Sequence, residues 1–310
     1  MRNMGAERRD IPHLDRSPAA QRRLDAMAWR DGIAFDSFGV RIGIRTTSLA
    51  RSLKRLLPPH SHPSSPKVDQ LFSLINGGAA SRGIERKHAL YKGARKLAAL
   101  DSIDPLLRLL AMEIRRTVAT SSPSTVFVHA GVVGWRDQAI VLPGYSMSGK
   151  STLVAELVKL GATYYSDEFA VIDEDGNIHP FAKPLSLRKA GSFEAEEYEI
   201  EAFGGIKGIA PIPVGMIAIA RYTPEMVWRP QKLSRGQGLL ALLSHSIAIR
   251  RHPTRVMRTL GRAVDQAVIV KSARGEASGA AGALLSMASE LGKASRQRPR
   301  RVVSDFGDII

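Results

Sequence analysis

Polar and apolar residues alternate clearly in FGVRIGIRT (residues 38–46). Val40, Ile42 and Ile44 oppose Arg41, Gly43 and Arg45, which is the period of a half-buried strand. Downstream, DSIDPLLRLLAMEIRRTVAT (101–120) switches to helical spacing. Leu107, Leu110, Ile114 and Val118 form one stripe, Asp104 can cap the helix, and Pro105 suits its first turn. SSPST (121–125) ends that pattern, and short strands with tight turns follow. A domain boundary is therefore placed near residue 121.

Beyond it the pattern predicts a strand in VFVHAGVV, a turn in GWRDQ and a strand in AIVLPG. A helix from Ser151 to about Leu160 then has Leu153, Val154, Leu157 and Val158 as its apolar positions, with Gly161 as its stop. ATYYSDEFAVID and IHPFAKPLSLR flank EDGN (174–177), whose Asp-Gly signals a hairpin. A buried strand VGMIAIARY, two helical segments between 237 and 266, a strand AVIVKS and a small-residue helix ending near 293 complete the chain. No internal repeat is found. The predicted organisation is a flexible basic tail (1–30), a smaller α+β module (31–120), a second, α/β domain (121–292) and a basic C-terminal tail (293–310). LLPPHSHPSSPK (56–67) is expected to be an exposed connector. Its His60 and His62 read as loop residues rather than metal ligands.

Composition changes this picture in few places. The chain has 310 residues, 44% of them hydrophobic and 24% charged, ordinary values for a globular protein with a real core. It has no cysteine, which excludes disulfides and thiolate chemistry. No apolar run reaches the ~20 residues of a membrane helix, and the first residues have no apolar core of a secretory signal. The expectation is a cytoplasmic protein with no membrane partner. The formal charge of +16 attracts polyanions in general. Its arginines are scattered, no aromatic residues interleave at base-stacking spacing, and nucleic acid is not expected as a partner. The arginines of RRHPTRVMRTLGR (250–262) read as a solvated helical face.

The chemistry begins in VLPGYSMSGKSTLVAEL (141–157). Gly144 to Ser151 fits G-x-x-x-x-G-K-[ST] in full, between a predicted strand and a predicted amphipathic helix. Gly144 and Gly149 let backbone N–H groups, with those of Ser146 and Ser148, turn inward on phosphate. Lys150 supplies a charge to the β and γ phosphates, Ser151 offers a hydroxyl to Mg²⁺, and Thr152 opens the helix whose positive end faces the anion. A ligand-free Gly-Ser turn is the competing reading, and nucleotide binding is preferred.

The next carboxylates decide the kind of nucleotide protein. Asp167 and Glu168 follow Ser151 by only 16 and 17 residues. They come after ATYYS rather than the apolar strand of motor and switch NTPases, and hairpins rather than alternating βαβ units flank the loop. The alternative for this pair is a solvated turn.

These features together, VHAGVV…LPGYSMSGKSTLVAELVKLGATYYSDEFAVID, resemble the catalytic domain of HPr kinase/phosphorylase and the wider set of HPr-kinase-like serine kinases. The resemblance covers about residues 126–188. It implies a phosphoenolpyruvate-carboxykinase-like α/β fold with a mixed or antiparallel sheet. It also implies ATP and Mg²⁺, and transfer of the γ-phosphoryl group to a serine hydroxyl of a protein or peptide. Carried onto this chain, Asp167 is the catalytic acid/base, and Lys150 and Ser151 hold phosphate and metal. Glu168 lies at the second acidic position near the metal, and His129 is the hairpin histidine close to phosphate. For His129 a core or edge-strand histidine bonded to backbone is the alternative. Residues 1–120 do not match the family's N-terminal domain, and FGGIKGIAP (203–211) is not aligned with its later Gly-rich signature. Neither HPr as substrate nor the reverse reaction is implied.

KPLSLRK (183–189) offers Lys183, Arg188 and Lys189, of which Arg188 is the preferred phosphate clamp. An exposed basic strand end is the alternative. Arg274 reads as a structural ion pair and Glu276 as a helix-start acid. The resulting expectation is a serine kinase that forms a multimer. A small-molecule kinase of the same fold and a non-catalytic ATP-binding regulator are the rivals.

Overall fold

The computed structural model describes residues 18–48, 53–77, 87–145, 148–188 and 195–296. It is an α/β protein with mixed and antiparallel sheets, and its chain divides into two compact units, 1–118 and 119–310.

The first described element of the first unit is helix α1 (Pro18–Asp25), inside the stretch expected to be a flexible tail. Strands β1 (Asp31–Ser37), β2 (Val40–Thr46), β3 (Ser61–Pro63), β4 (Gln70–Ile75), β5 (His88–Lys92) and β6 (Arg95–Leu100) form one sheet in the order β3-β1-β2-β4-β5-β6. The expected strand at 38–46 is β2. Phe38 and Gly39 instead form the turn into it, both at positive φ. The connector at 56–67 contributes β3, which pairs with β1 at the sheet edge. Helix α2 (Ile103–Ser121) buries Leu106, Leu110, Ile114 and Val118. Leu106 replaces the expected Leu107, because the buried stripe repeats at four-residue intervals. Asp104 lies inside the first turn rather than before it. Lys92 of β5 donates to Thr117 at 2.6 Å and pairs with Glu113 at 3.9 Å.

The second unit is built on strands β7 (Val126–Trp135), β8 (Gln138–Pro143), β9 (Thr163–Ser166), β10 (Phe169–Ile172), β11 (Asn177–His179), β12 (Leu185–Arg188), β13 (Ala195–Tyr198), β14 (Ile212–Tyr222), β15 (Gln231–Lys232) and β16 (Val268–Arg274). The helices among them are α3 (Lys150–Lys159), α4 (Arg235–Ser244), α5 (Pro253–Gln266) and α6 (Ala277–Arg296). The main sheet runs β11-β10-β7-β8-β14-β16-β15, with β9 also on β7. β7 and β8 form a tight hairpin through Arg136 and Asp137, both in the left-handed region as a two-residue type I′ turn requires. β10 and β11 form the hairpin expected at EDGN, with Gly176 at φ 86. The central pairs β8–β14 and β14–β16 are parallel. The hairpins read from the sequence are therefore joined by a parallel core. The crossover through α4 and α5 is long enough to return the chain in the same direction.

Side chains alternate between two apolar layers. Val133, Ile140, Leu142, Met216, Ala218 and Val270 pack with α3 and α6 on one face. Val132, Val141, Ile217 and Ile269 pack with α4 and α5 on the other. Leu153, Val154, Leu157 and Val158 of α3 are all buried, each contributing about 1.5–3 kcal/mol. Gly131 on β7 lets α3 approach this closely, since a Cβ there would stand 2.7 Å from Val154. The close approach sets the height of α3 and the loop before it above the sheet. Of the arginines in 250–262, Arg250, Arg251, Arg258 and Arg262 are exposed, as expected of a solvated face, and Arg255 is half-buried. Arg255 donates to the Ser122 and Pro123 carbonyls, and Arg258 and Arg262 pair with Glu174 and Asp175 at the β10–β11 turn. No helix among the described residues is long and apolar enough to cross a membrane.

Candidate functional site

The site forms where β8 ends, the loop turns into α3, and β9 gives way to β10. The loop begins at Gly144, whose amide donates to the His129 carbonyl on the neighbouring strand at 3.2 Å. It ends at Gly149, the residue before α3, at φ 80. That left-handed conformation is open to glycine at little cost. A Cβ at Gly149 would also lie 2.5 Å from the Arg274 guanidinium. Ser146 lies outside the described residues. Lys150 reaches back across the loop, and its amine donates to the Tyr145 carbonyl at 2.6 Å, with the Ser148 hydroxyl 3.5 Å away. Burial lowers this amine to about 8, against an opposing pull from Asp167. Thr152 is exposed in the first turn of α3.

Ser151 and Asp167 meet, although 16 residues separate them. The Ser151 hydroxyl donates to Asp167 Oδ2 at 3.1 Å. The meeting depends on Ser166, whose hydroxyl accepts the amides of Glu168 and Phe169 at 3.1 and 3.0 Å. This local bonding competes with the strand ladder, and the Asp167–Glu168 pair lies between β9 and β10 as a result. Asp167 is 6% exposed. Its Oδ2 also accepts the Ser186 amide at 3.2 Å. Its Oδ1 lies 3.1 Å from the Tyr164 hydroxyl and 3.0 Å from the Lys183 amine. Tyr164 is fully buried, and burial with the nearby carboxylate holds its hydroxyl firmly protonated. That hydroxyl also sits 3.0 Å from the Lys183 carbonyl.

His129 sits on β7 with its ring against Phe169, centroids 4.9 Å apart. It bonds to the Glu168 backbone. Burial pushes its imidazole below the ordinary histidine range, Lys150 pushes the same way, and Glu168 opposes them. The backbone bond expected of a structural histidine and the proximity to the carboxylate pair and Lys150 are thus both present. His245, just after α4, was not read from the sequence. Its carbonyl accepts the His129 amide at 2.8 Å and its ring meets Tyr145 at 4.3 Å. Burial, Lys150 and His129 all lower its pKa.

Of the KPLSLRK cations, Lys183 rather than Arg188 reaches the carboxylates. Arg188 is exposed at the end of β12, and no contact among the described residues joins it to the loop. Lys189 lies outside the described residues. Arg274 is not in an ion pair among the described residues. Its guanidinium is 3% exposed, donates to the carbonyls of Gly149 and Gly275 at 2.9 Å each, and lies over the Tyr222 ring. Burial lowers its pKa below the ordinary arginine value. The sequence offered Lys183 and Arg274 only as general basic candidates and gave Tyr164 no role, because local spacing does not record which charges and hydroxyls meet at Asp167 and Gly149.

A hydroxyl and two carboxylates are hard oxygen donors of the kind Mg²⁺ takes, with the remaining positions left to phosphate and water. Ser151, Asp167 and Glu168 fit that requirement chemically. The described protein residues offer no cluster of three or more His, Asp or Glu able to hold a metal alone. A divalent ion here would complete its coordination with phosphate or water.

No protein-family model matches the chain, and no curated protein matches its sequence.

Proposed function

We propose that this chain is an ATP- and Mg²⁺-dependent kinase that transfers the γ-phosphoryl group to a serine hydroxyl of a protein or peptide. Its second unit would be a phosphoenolpyruvate-carboxykinase-like domain of the HPr-kinase-like kind. The observation that carries the reading is the contact between Ser151, at the start of the helix after the glycine loop, and the buried carboxylate of Asp167. It brings together a phosphate-binding loop, a metal-binding hydroxyl and a proton acceptor. Phosphoryl transfer asks for this combination: positioning, charge neutralisation and orientation of the nucleophile.

In this reading the loop N–H groups and the positive end of α3 hold the β and γ phosphates. Lys150 adds a charge at the same place, and Arg274 fixes the loop by holding the Gly149 carbonyl. Mg²⁺, held by Ser151, Asp167 and Glu168 together with phosphate, would neutralise charge on the β and γ oxygens. Asp167 orients the acceptor serine and takes its proton as the serine oxygen bonds to the γ phosphorus and the bond to the β–γ bridging oxygen breaks. ADP leaves with that oxygen. His129, held beside Glu168 and near Lys150, would lie close to the phosphate.

The test uses γ-labelled ATP, Mg²⁺ and an extract of the source cells, with the wild type and Asp167→Ala compared. The expected outcome is label on one serine-bearing protein or peptide, reduced at least ~100-fold in the variant, with ATP binding retained. Label on a small metabolite would replace the protein or peptide acceptor with a small molecule. Failure of the wild type to bind ATP would sink the reading altogether.

A further inference from the structure

We infer that Lys183 is a built-in cation of the carboxylate site, which a divalent metal must displace, so that metal enters only together with nucleotide phosphate. The inference rests on the kinase reading above for its metal and deepens it. The Lys183 amine is surrounded by three oxygens: Asp167 Oδ1 at 3.0 Å, the Pro184 carbonyl at 3.2 Å and Glu168 Oε2 at 3.8 Å. Its side chain is only 14% exposed, and that of Asp167 only 3%. The two carboxylates therefore face an ammonium group in a water-poor setting, where charge pairing is strong.

The placement is anchored at both ends of the residue. The Tyr164 hydroxyl sits between the Lys183 carbonyl and Asp167, tying the lysine backbone to the carboxylate that its side chain contacts. Three residues on, the Ser186 amide bonds the same carboxylate. Pro184 biases Lys183 away from helical backbone. Arg188 has no such anchor among the described residues.

The charge balance gives the consequence. With Lys150 and Lys183 against Asp167 and Glu168, two positive groups already match two negative ones. A divalent ion arriving alone would leave the site with two excess positive charges. Arriving with the phosphates of ATP, it brings its own compensation and lets the Lys183 amine swing from the carboxylates toward phosphate oxygens. Lys183 is thus a positioning and gating residue for the metal.

The experiment titrates Mn²⁺ into nucleotide-free protein, followed by the paramagnetic resonance signal of free Mn²⁺, for the wild type, Lys183→Gln and Lys183→Arg. Glutamine keeps hydrogen-bond donors near the carboxylates while removing the charge. Lys183→Gln should bind Mn²⁺ at least about fivefold more tightly than the wild type, the smallest effect of a unit charge 4 Å away. Lys183→Arg should not, and adding Asp167→Asn to Lys183→Gln should abolish the gain. Equal affinity in the wild type and Lys183→Gln overturns the proposal. A wild-type measurement covers the case of a variant that does not fold. With the Mn²⁺–analogue complex formed in buffer alone subtracted, the protein must hold Mn²⁺ at least about fivefold more tightly with a non-hydrolysable ATP analogue than without it, and equal affinities also overturn the proposal. Binding of the analogue is read separately. Its absence refutes the nucleotide reading, whereas normal analogue binding with unchanged Mn²⁺ affinity refutes only the role of Lys183.

Discussion

Gly149→Ala tests the loop geometry without reference to any reaction. Gly149 lies at φ 80, and the added methyl would stand 2.5 Å from the Arg274 guanidinium. Holding an alanine in the left-handed region costs about 1–2 kcal/mol. Displacing Arg274 from the Gly149 carbonyl adds about 1.5–3 kcal/mol, the value of a hydrogen bond to a charged group. The sum is about 2.5–5 kcal/mol, which for a unit of this size is a fall in Tm of roughly 5–20 °C. Thermal unfolding followed by circular dichroism measures it. Gly261→Ala is the control, since Gly261 lies inside α5 with nothing within 4 Å of its added Cβ. It should be neutral or stabilise by up to about 1 kcal/mol. The double variant Gly149→Ala/Arg274→Ala separates the two contributions. Without the guanidinium only the backbone cost remains, so the double variant should be at least ~1 kcal/mol more stable than the sum of the single effects. A Gly149→Ala protein that melts within about 1 °C of the wild type would refute the left-handed geometry. Strict additivity would refute the clash.

Two further outcomes follow from the site. Lys150 titrates near 8 in the free protein, and phosphate favours its charged form. ATP affinity should therefore hold below that pH and fall as pH rises through it, by up to about tenfold per pH unit, until the higher pKa of the bound form is passed. Titration with a fluorescent ATP analogue between pH 6.5 and 9.5 checks this, and Lys150→Met should remove the slope. Tyr164→Phe leaves the fully buried ring in place but removes the hydroxyl shared by Asp167 and the Lys183 carbonyl. It should cost about 1–3 kcal/mol in chemical denaturation and loosen Lys183; no change in stability would show that the bridge contributes nothing.

The elements nearest the site were the most legible in the sequence. The β7–β8 hairpin, α3 and the β10–β11 hairpin each have a period, a turn and a stop within one short segment. Local residues are enough to specify such elements. Strands β1, β4, β5 and β6 were not read, because strand pairing across the first sheet depends on partners far away in sequence. A mixed or antiparallel sheet was expected, but which strands run parallel, β14 with β8 and β16, was not read, since local periodicity records burial but not strand direction. Arg188 and Lys183 make the point for side chains. Both lie in KPLSLRK and both are basic, yet only Lys183 is tied to Asp167 through Tyr164 and placed before a proline.

The sequence by itself determined a glycine-bounded loop leading straight into α3, because Gly144, Gly149 and the helix that follows act through their own backbone. It also determined the carboxylate pair one helix later and the strands that bracket it. Only the tertiary structure decided which charges meet there. Tyr164, Lys183 and Arg274 reach the loop and Asp167 from β9, the segment before β12, and the end of β16. Their approach is set by sheet order and by the closeness of α3 to Gly131, which are properties of packing rather than of spacing along the chain.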